Sequence, residues 1–332
     1  MAEDWHLPRI GSVQDPLRLG VLISGSGSGM EALLRHQMKD ECRHTTTVVV
    51  SDKSDVAGLS KAQDMGVTAI VVPLPDISDS QQRRLAHEDE VNQVLADHGV
   101  EVIVLSGYMR ILTPSFVKPW AGRLLNIHPS LLPKYRGPSP VVTAILEGEN
   151  TVGVTIMLLD EGMDTGPILA QSTPMRLSGT ERGAELQRAL FKEGASMLPN
   201  VLNGLQEGTL TAEPQDDSKA SVTKLINKSD AQIDWASPAE YIERMIRAYD
   251  SWPGTFTSWN GKVLKVLDAQ ISSASASVPA VGAGVVVVDE GRVNVGTGSA
   301  SIELKKVQLE GRQAIAAADF VISLILPIYS AL

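Results

Sequence analysis

An α/β domain built on a largely parallel sheet, followed by a small β-barrel, is the architecture this sequence predicts. Three observations predict it. Over the first two thirds, short apolar runs alternate with helical patterns, as βαβ units require. A polar stretch at 211–221, holding Pro214, Asp216 and Asp217, then breaks the pattern. Beyond it, short apolar runs are divided by Gly and Ser, which fits a small barrel.

The elements follow in order. Apolar runs predict strands at 19–24, 46–51, 69–72, 102–106 and 124–127, and amphipathic spacing predicts helices at 30–38, 56–65, 81–98 and 139–146. Two further extended runs, 153–158 and 168–171, precede a long helix at 180–205 that closes at Glu207-Gly208. After a helix at 238–249, strands are expected at 263–269, 284–288, 293–296 and 301–304, with 271–277 a Ser/Ala loop. The result is a Rossmann-like, mostly parallel sheet with helices on both faces, then an OB-like barrel. The expected division is a loose leader at 1–17, a catalytic domain at 18–206, a linker at 207–226 and the barrel at 227–332.

Bulk composition narrows the function classes. A net charge of −10, from 29 basic and 39 acidic side chains, offers no overall attraction to nucleic acid or anionic membrane. One cysteine, Cys42, excludes an intrachain disulfide and a cysteine-rich zinc site. No secretory signal pattern is present, and the apolar stretch from Phe320 is interrupted by Pro327 and too short for a bilayer. A cytoplasmic location, with no membrane association, no metal and no stable protein partner, is the expectation.

The residues able to carry chemistry cluster around Asn126-Ile127-His128-Pro129-Ser130-Leu131-Leu132-Pro133, directly after the strand run Arg123-Leu124-Leu125. Ligands of open parallel sheets sit beyond the strands' carboxyl ends, and Asn126 and His128 share one face because side chains two apart do so in a strand. An amide can hold a developing oxyanion, and an imidazole can move protons near neutral pH. Asp164, between Gly162 and Gly166, adds a carboxylate to orient or charge that ring. Each has a plainer alternative, His128 as an inert core histidine and Asp164 as a turn residue. A Ser130/His128/Asp164 hydrolase triad and a magnesium site at Asp160, Glu161 and Asp164 rank lower, since Ser130 lacks a nucleophile elbow and nothing fixes a ligand geometry. His6, His36, His44, His87 and His98 fall in polar surroundings and are expected at the surface. The turn Gly25, Ser26, Gly27, Ser28, Gly29 leads into a helix and can cradle an anion, or serve only as a tight turn. Arg136, in Arg136-Gly137-Pro138-Ser139-Pro140, can meet an acceptor or its phosphate, while the prolines start a helix.

Through these stretches the chain resembles the formyltransferases that use 10-formyltetrahydrofolate. The match is carried by Gly107-Tyr108-Met109-Arg110-Ile111-Leu112, by Asn126 to Pro133, and by Gly153-Val154-Thr155-Ile156-Met157 through Asp164-Thr165-Gly166. The resemblance implies that Asn126, His128 and Asp164 serve one formyl-transfer centre. It also implies a folate held against Met109, Arg110, Ile111 and Leu112, against Ser130, Leu131, Leu132 and Pro133, and against the loop from Asp160.

Within the family the resemblance is mixed. Up to Tyr135 the chain is more similar to glycinamide ribonucleotide formyltransferases, glycine turn included. From Arg136 on it resembles methionyl-tRNA formyltransferases, through Ala231-Gln232-Ile233-Asp234-Trp235, Ile246-Arg247-Ala248-Tyr249, Trp252-Pro253-Gly254 and Val307-Gln308-Leu309-Glu310-Gly311-Arg312. The long basic insertion that the tRNA enzymes carry after their first strand is missing. From Glu207 on, the chain holds 11 Lys and Arg against 15 Asp and Glu, a net of −4. The expected acceptor is the methionyl group of initiator tRNA, with glycinamide ribonucleotide second and water, releasing formate, third. The alternative from another class is a non-catalytic folate-binding protein that uses the barrel as an interaction module.

Overall fold

A computed structural model describes residues 7–39, 41–272 and 282–322. In chain order the elements begin β1 (Leu17–Ile23), α1 (Ser28–Gln37), β2 (His44–Ser51), α2 (Ala57–Asp64), β3 (Thr68–Val71), α3 (Ser80–Asp97) and β4 (Val102–Leu105). They continue with α4 (Pro114–Val117), β5 (Leu124–His128), α5 (Pro140–Glu147), β6 (Thr151–Val152), β7 (Thr155–Leu158), β8 (Ile168–Gln171), β9 (Met175–Arg176) and α6 (Gly183–Glu207). Last come α7 (Ala239–Ala248), β10 (Phe256–Trp259), β11 (Lys262–Ile271), β12 (Val286–Asp289), β13 (Arg292–Gly296), β14 (Ser301–Leu309) and β15 (Ile315–Ala316). No helix among the described residues is long and apolar enough to cross a membrane.

The first compact unit takes the residues up to Pro140, then Thr151–Arg176 and Gln187–Lys224. Its seven-stranded sheet has the order β3-β2-β1-β4-β5-β7-β8. The first five strands run parallel, and β7 and β8 are antiparallel additions at one edge. The inner parallel strands carry apolar runs such as Val48-Val49-Val50 and Val102-Ile103-Val104-Leu105 where both faces are covered, while the edge strand β3 is partly exposed. Alternation sorts their side chains into two cores. Val21, Val49, Val104, Leu125 and Ile127 pack with Met30 and Leu33 of α1 and Leu198 and Leu202 of α6. Leu22, Val50, Ile103, Leu105 and Leu124 pack with Val91 and Leu95 of α3 and Phe116 of α4. Asn126 and His128 therefore share the face of Leu124, at the end where β5 leaves the sheet.

Three sequence expectations need correction in this unit. The leader is tied down from Arg9, whose guanidinium binds Glu101 at 2.6 and 2.9 Å, while the Gly11 N–H donates to the Gln206 side chain at 2.7 Å. Composition hid this, because polar leader residues find polar partners far along the chain. Second, the strip after Glu207 is no free linker: up to Lys224 it belongs to this unit. Its backbone pairs with Ile168 through Glu213 and with Arg136 through Ser221 and Thr223. Third, His44 and His87 are buried. His44 opens β2, where burial pushes its imidazole down to about 4. His87 lies on the inner face of α3, its Nε2 2.8 Å from the Tyr108 hydroxyl. Their polar neighbours masked the helix and strand periods that carry them inward. His6 lies outside the described residues.

Replacing Arg9 tests the first correction. Arg9→Ala leaves the Glu101 carboxylate with only the Arg18 contacts, and is expected to lower the unfolding free energy by about 1–3 kcal/mol in urea denaturation.

The second unit takes Val141–Asn150, Leu177–Leu186 and the chain from Leu225 on. By contacts, most of α5 and the opening of α6 group with this unit, so the segment 18–206 read from sequence contributes residues to both. Its sheet, β10-β11-β14-β13-β12 with β15 beside β14, is antiparallel throughout. Helix α7 buries Ile242, Met245 and Ile246, the three-and-four spacing of an amphipathic helix, and two of them join Val266, Val295 and Ile302 in the core. Strands β10 and β15 are additional to the sequence expectation, and β14 extends five residues further. Of the expected loop at 271–277, Ile271 ends β11, and 273–277 lie outside the described residues.

Candidate active site

Asn126 and His128 stand at the carboxyl end of β5, with β4 on one side and β7 on the other. The loop between β7 and β8 returns Asp164 to them. Asn126 Nδ2 donates to Asp164 Oδ1 at 3.4 Å, and His128 Nδ1 lies 3.6 Å from Asp164 Oδ2. The first is a long hydrogen bond and the second exceeds one, so neither side chain is locked to the carboxylate. His128 Nε2 is 2.9 Å from the carbonyl of Tyr135. A carbonyl only accepts, so Nε2 carries a proton and Nδ1 is the nitrogen facing the carboxylate. The ring is 4% exposed, and Asn126 is half-buried.

Asp164 is held by more than its side chain. Its backbone is left-handed, with φ 53°, an uncommon conformation that neighbouring structure must impose. Gln215 Nε2 donates to the carbonyls of Asp164, at 2.8 Å, and Gly166, at 2.7 Å. The Gly137 N–H donates to Asp164 Oδ2 at 2.8 Å. At Gly166 a Cβ would lie 1.9 Å from the Leu158 carbonyl oxygen, so glycine is required for the loop to pass.

The strip at 213–223 also shapes the loop after His128. Tyr135, with φ 63°, receives Ser221 Oγ on its N–H at 2.9 Å, and Ser139 N donates to Thr223 Oγ1 at 3.1 Å. Arg136, expected at the acceptor, is 6% exposed; its Nε donates to Gln215 Oε1 and its Nη2 to Asp217. Its Nε and Nη2 are directed onto the strip. Sequence reasoning missed Gln215, Ser221 and Thr223. Their signal, a polar strip, is shared with every linker.

The other expected site residues separate into two groups. Met109 and Ile111 are 57% and 64% exposed, beside the carboxyl end of β1, where the Met109 N–H donates to Ser24 Oγ. Arg110 donates to the buried Asp52 at 2.7 Å, and Leu112 is half-buried beside Leu105 and Phe116. Leu131 and Pro133 are half-buried. Ser130 and Leu132, by contrast, are buried. Ser130 Oγ donates to the Lys134 carbonyl, and Leu132 N donates to Thr155 Oγ1. Through these bonds both support the loop from inside, and the Ser130 hydroxyl is turned to a backbone carbonyl. Asp160 accepts from Gly162 N and Thr165 Oγ1, so it shapes its own loop.

The glycine turn links β1 to α1. Gly27, with φ 63°, is the residue before the helix, and Gly29 presses so close to Ser106 Oγ that a Cβ would lie 2.4 Å from it. With β4 between them, β1 and β5 are two strand spacings apart, which puts this turn roughly 10 Å from Asn126. The expectation of no metal meets one counter-observation: His36, Cys42 and His44 converge, and among the described residues they form the group able to hold an ion.

Comparison with known proteins agrees with this geometry. The formyl transferase family matches residues 17–202, and the formyl transferase C-terminal domain matches residues 225–324. A methionyl-tRNA formyltransferase of Roseiflexus sp. (strain RS-1) is 38% identical over 309 residues, 92% of this chain and 92% of that protein. One from Chloroflexus aurantiacus is 46% identical over 214 residues, 64% of this chain and 68% of that protein. Among solved structures, glycinamide ribonucleotide transformylase 1 from Symbiobacterium toebii aligns with a TM-score of 0.54 and 31% identity, covering 60% of this chain and 95% of its own. Matched by family in its catalytic sheet and in its C-terminal sheet alike, the chain belongs to the formyl transferases.

Proposed function

We propose that this protein transfers the formyl group of 10-formyltetrahydrofolate to the methionyl amine of initiator tRNA. The observation that carries the acceptor choice is length of match. The Roseiflexus methionyl-tRNA formyltransferase is similar across 92% of the chain, whereas the Symbiobacterium glycinamide ribonucleotide enzyme is matched over 60%. The glycine turn before α1 favours the second reading, glycinamide ribonucleotide, since helix N-termini suit phosphate.

In the proposed reaction the acceptor's neutral amine attacks the formyl carbon. The new C–N bond forms as the bond to the folate N10 breaks; the amine loses one proton and N10 gains one. Asn126 Nδ2 donates to the formyl oxygen as negative charge develops there. His128 Nδ1, facing Asp164, carries the proton between the two nitrogens. The Asp164 carboxylate beside Nδ1 and the Tyr135 carbonyl at Nε2 hold the ring in the orientation that this transfer needs. The exposed Met109 and Ile111 supply apolar surface for the folate ring.

Labelled 10-formyltetrahydrofolate, offered with charged initiator tRNA or with glycinamide ribonucleotide, decides the acceptor. Label is expected on the methionyl group, with turnover falling steeply as salt rises because a polyanion must be held. Label on glycinamide ribonucleotide alone, or release of formate without either acceptor labelled, would reject the tRNA reading.

The strip at 213–223 gives a separate prediction. Gln215→Ala frees the backbone of Asp164 and Gly166 without touching Asn126 or His128. A displacement of about 1 Å in a reacting constellation can cost ~10²-fold, so kcat is expected to fall by about 10- to 100-fold with folate affinity retained. A kcat equal to the parent's would show that the strip does not position the carboxylate.

A further inference from the structure

At the amino-terminal ends of the catalytic sheet's strands, three side chains with metal-ligand chemistry meet where helix α1 hands over to β2. His36 lies in the last turn of α1, Cys42 in the connecting turn, and His44 opens β2. One ligand atom from each lies within 4.8 Å of the others. We infer that His36, Cys42 and His44 form a binding site for one borderline-soft cation of the zinc class.

The distances carry the inference. A tetrahedral zinc, with Zn–S about 2.3 Å and Zn–N about 2.0–2.1 Å, holds its sulfur and nitrogen ligands roughly 3.5 Å apart. Cys42 Sγ and His44 Nε2 are 3.6 Å apart, already at that separation. The His36 ring lies parallel to that of His44, centroids 6.0 Å apart and planes within 12°, so sharing an ion, which must lie near the plane of each ring, requires the half-buried His36 side chain to rotate as it closes. The connection fixes the cluster locally, because Lys39 N bonds to His36 O and Cys42 N to Lys39 O. His36 and Cys42 are half-buried, which leaves a path for the ion and a water as fourth ligand.

A neighbouring side chain sets how the site loads. Gln37 Oε1 accepts from Thr46 N at 3.0 Å, which turns its NH2 toward His44 Nδ1, also at 3.0 Å. An amide NH2 only donates, so His44 keeps its proton on Nε2, the nitrogen facing the sulfur. An ion bound at Nε2 needs that proton on Nδ1 and an acceptor beside it, as metal-bound histidines ordinarily have. Gln37 supplies one only by turning its oxygen away from Thr46. A glutamate at 37 would keep one oxygen for Thr46 N and offer the other to Nδ1.

Because β2 is eight residues long and His44 is at its amino end, the site lies about 23 Å from the carboxyl-end edge that holds the formyl-transfer centre. Formyl transfer is therefore expected to be the same in Cys42→Ser and parent.

The test uses tag-free protein, zinc chloride and a competing chromophoric chelator, with cobalt(II) as a spectroscopic substitute. The expected result is one zinc per chain and a thiolate-to-cobalt charge-transfer band. Cys42→Ser should abolish the band and weaken zinc on the order of 10-fold or more, and His36→Gln should weaken it without loss of fold. Gln37→Glu should tighten zinc by about 10-fold. Equal zinc binding in parent and Cys42→Ser, or cobalt uptake without a thiolate band, would overturn the site.

Discussion

Asn126→Ala is expected to lower the single-turnover rate of formyl transfer by on the order of 10²–10³ while folate affinity stays unchanged. The separation follows from where the amide sits. Asn126 lies in β5 on the face opposite the Leu125 and Ile127 core, and its Nδ2 reaches Asp164 Oδ1 only at 3.4 Å. So weak a resting bond leaves the donor available to an oxygen that becomes anionic during reaction, and an interaction that strengthens only then raises kcat and not binding. The folate's apolar contacts are sought elsewhere, at Met109 and Ile111. Rapid-quench turnover beside a folate titration checks both halves; a large loss of affinity with unchanged kcat would move Asn126 to a binding role.

His128→Ala is expected to cost on the order of 10²–10⁴ in rate, the usual worth of a positioned acid–base group. It carries a second effect that the sequence did not suggest. Its Nε2–H is the partner of the buried Tyr135 carbonyl, so removal is expected to lower stability by about 1–3 kcal/mol as well. Rates should therefore be expressed per folded protein, with urea denaturation run on the same samples. His128→Gln, which can keep a donor to Tyr135 but cannot shuttle protons near neutral pH, should recover stability and stay slow. Turnover within tenfold of the parent in either variant would contradict the proton-transfer role.

The sheet was legible in the sequence because its strands are buried on both faces. Runs such as Val102-Ile103-Val104-Leu105 have no other easy home, and all four residues are buried. Asn126 and His128 were legible for a related reason: polar residues closing such a run lie where a parallel sheet presents its ligands. Asp164 was joined to them through the family resemblance, since a glycine-flanked acid by itself carries no sign of its partner until the fold closes 38 positions of chain separation between it and Asn126.

What stayed hidden depends on contacts distant in sequence. Gln215 and Ser221 look like linker residues, and only their hydrogen bonds to Asp164 and Tyr135 reveal them as supports of the site. The partners of Arg136 were hidden for the same reason. An arginine before two prolines suggests an anion site, but here Gln215 and Asp217 take up its Nε and Nη2. His36, Cys42 and His44 escaped because metal-site patterns are sought in pairs of cysteines, and one thiol between two histidines across a helix-to-strand turn matches none of them.

The central claim is that Asn126, His128 and Asp164 act as one centre. A double-mutant cycle on His128 and Asp164 tests it most directly, comparing single-turnover rates for the parent, His128→Ala, Asp164→Ala and the double variant. Residues that act as a unit are non-additive, because once one is gone the other has nothing left to assist. The expected result is a double variant no slower than the slower single one. Rate losses that multiply would show two independent contributors and contradict a shared role for the imidazole and the carboxylate that faces its Nδ1 at 3.6 Å.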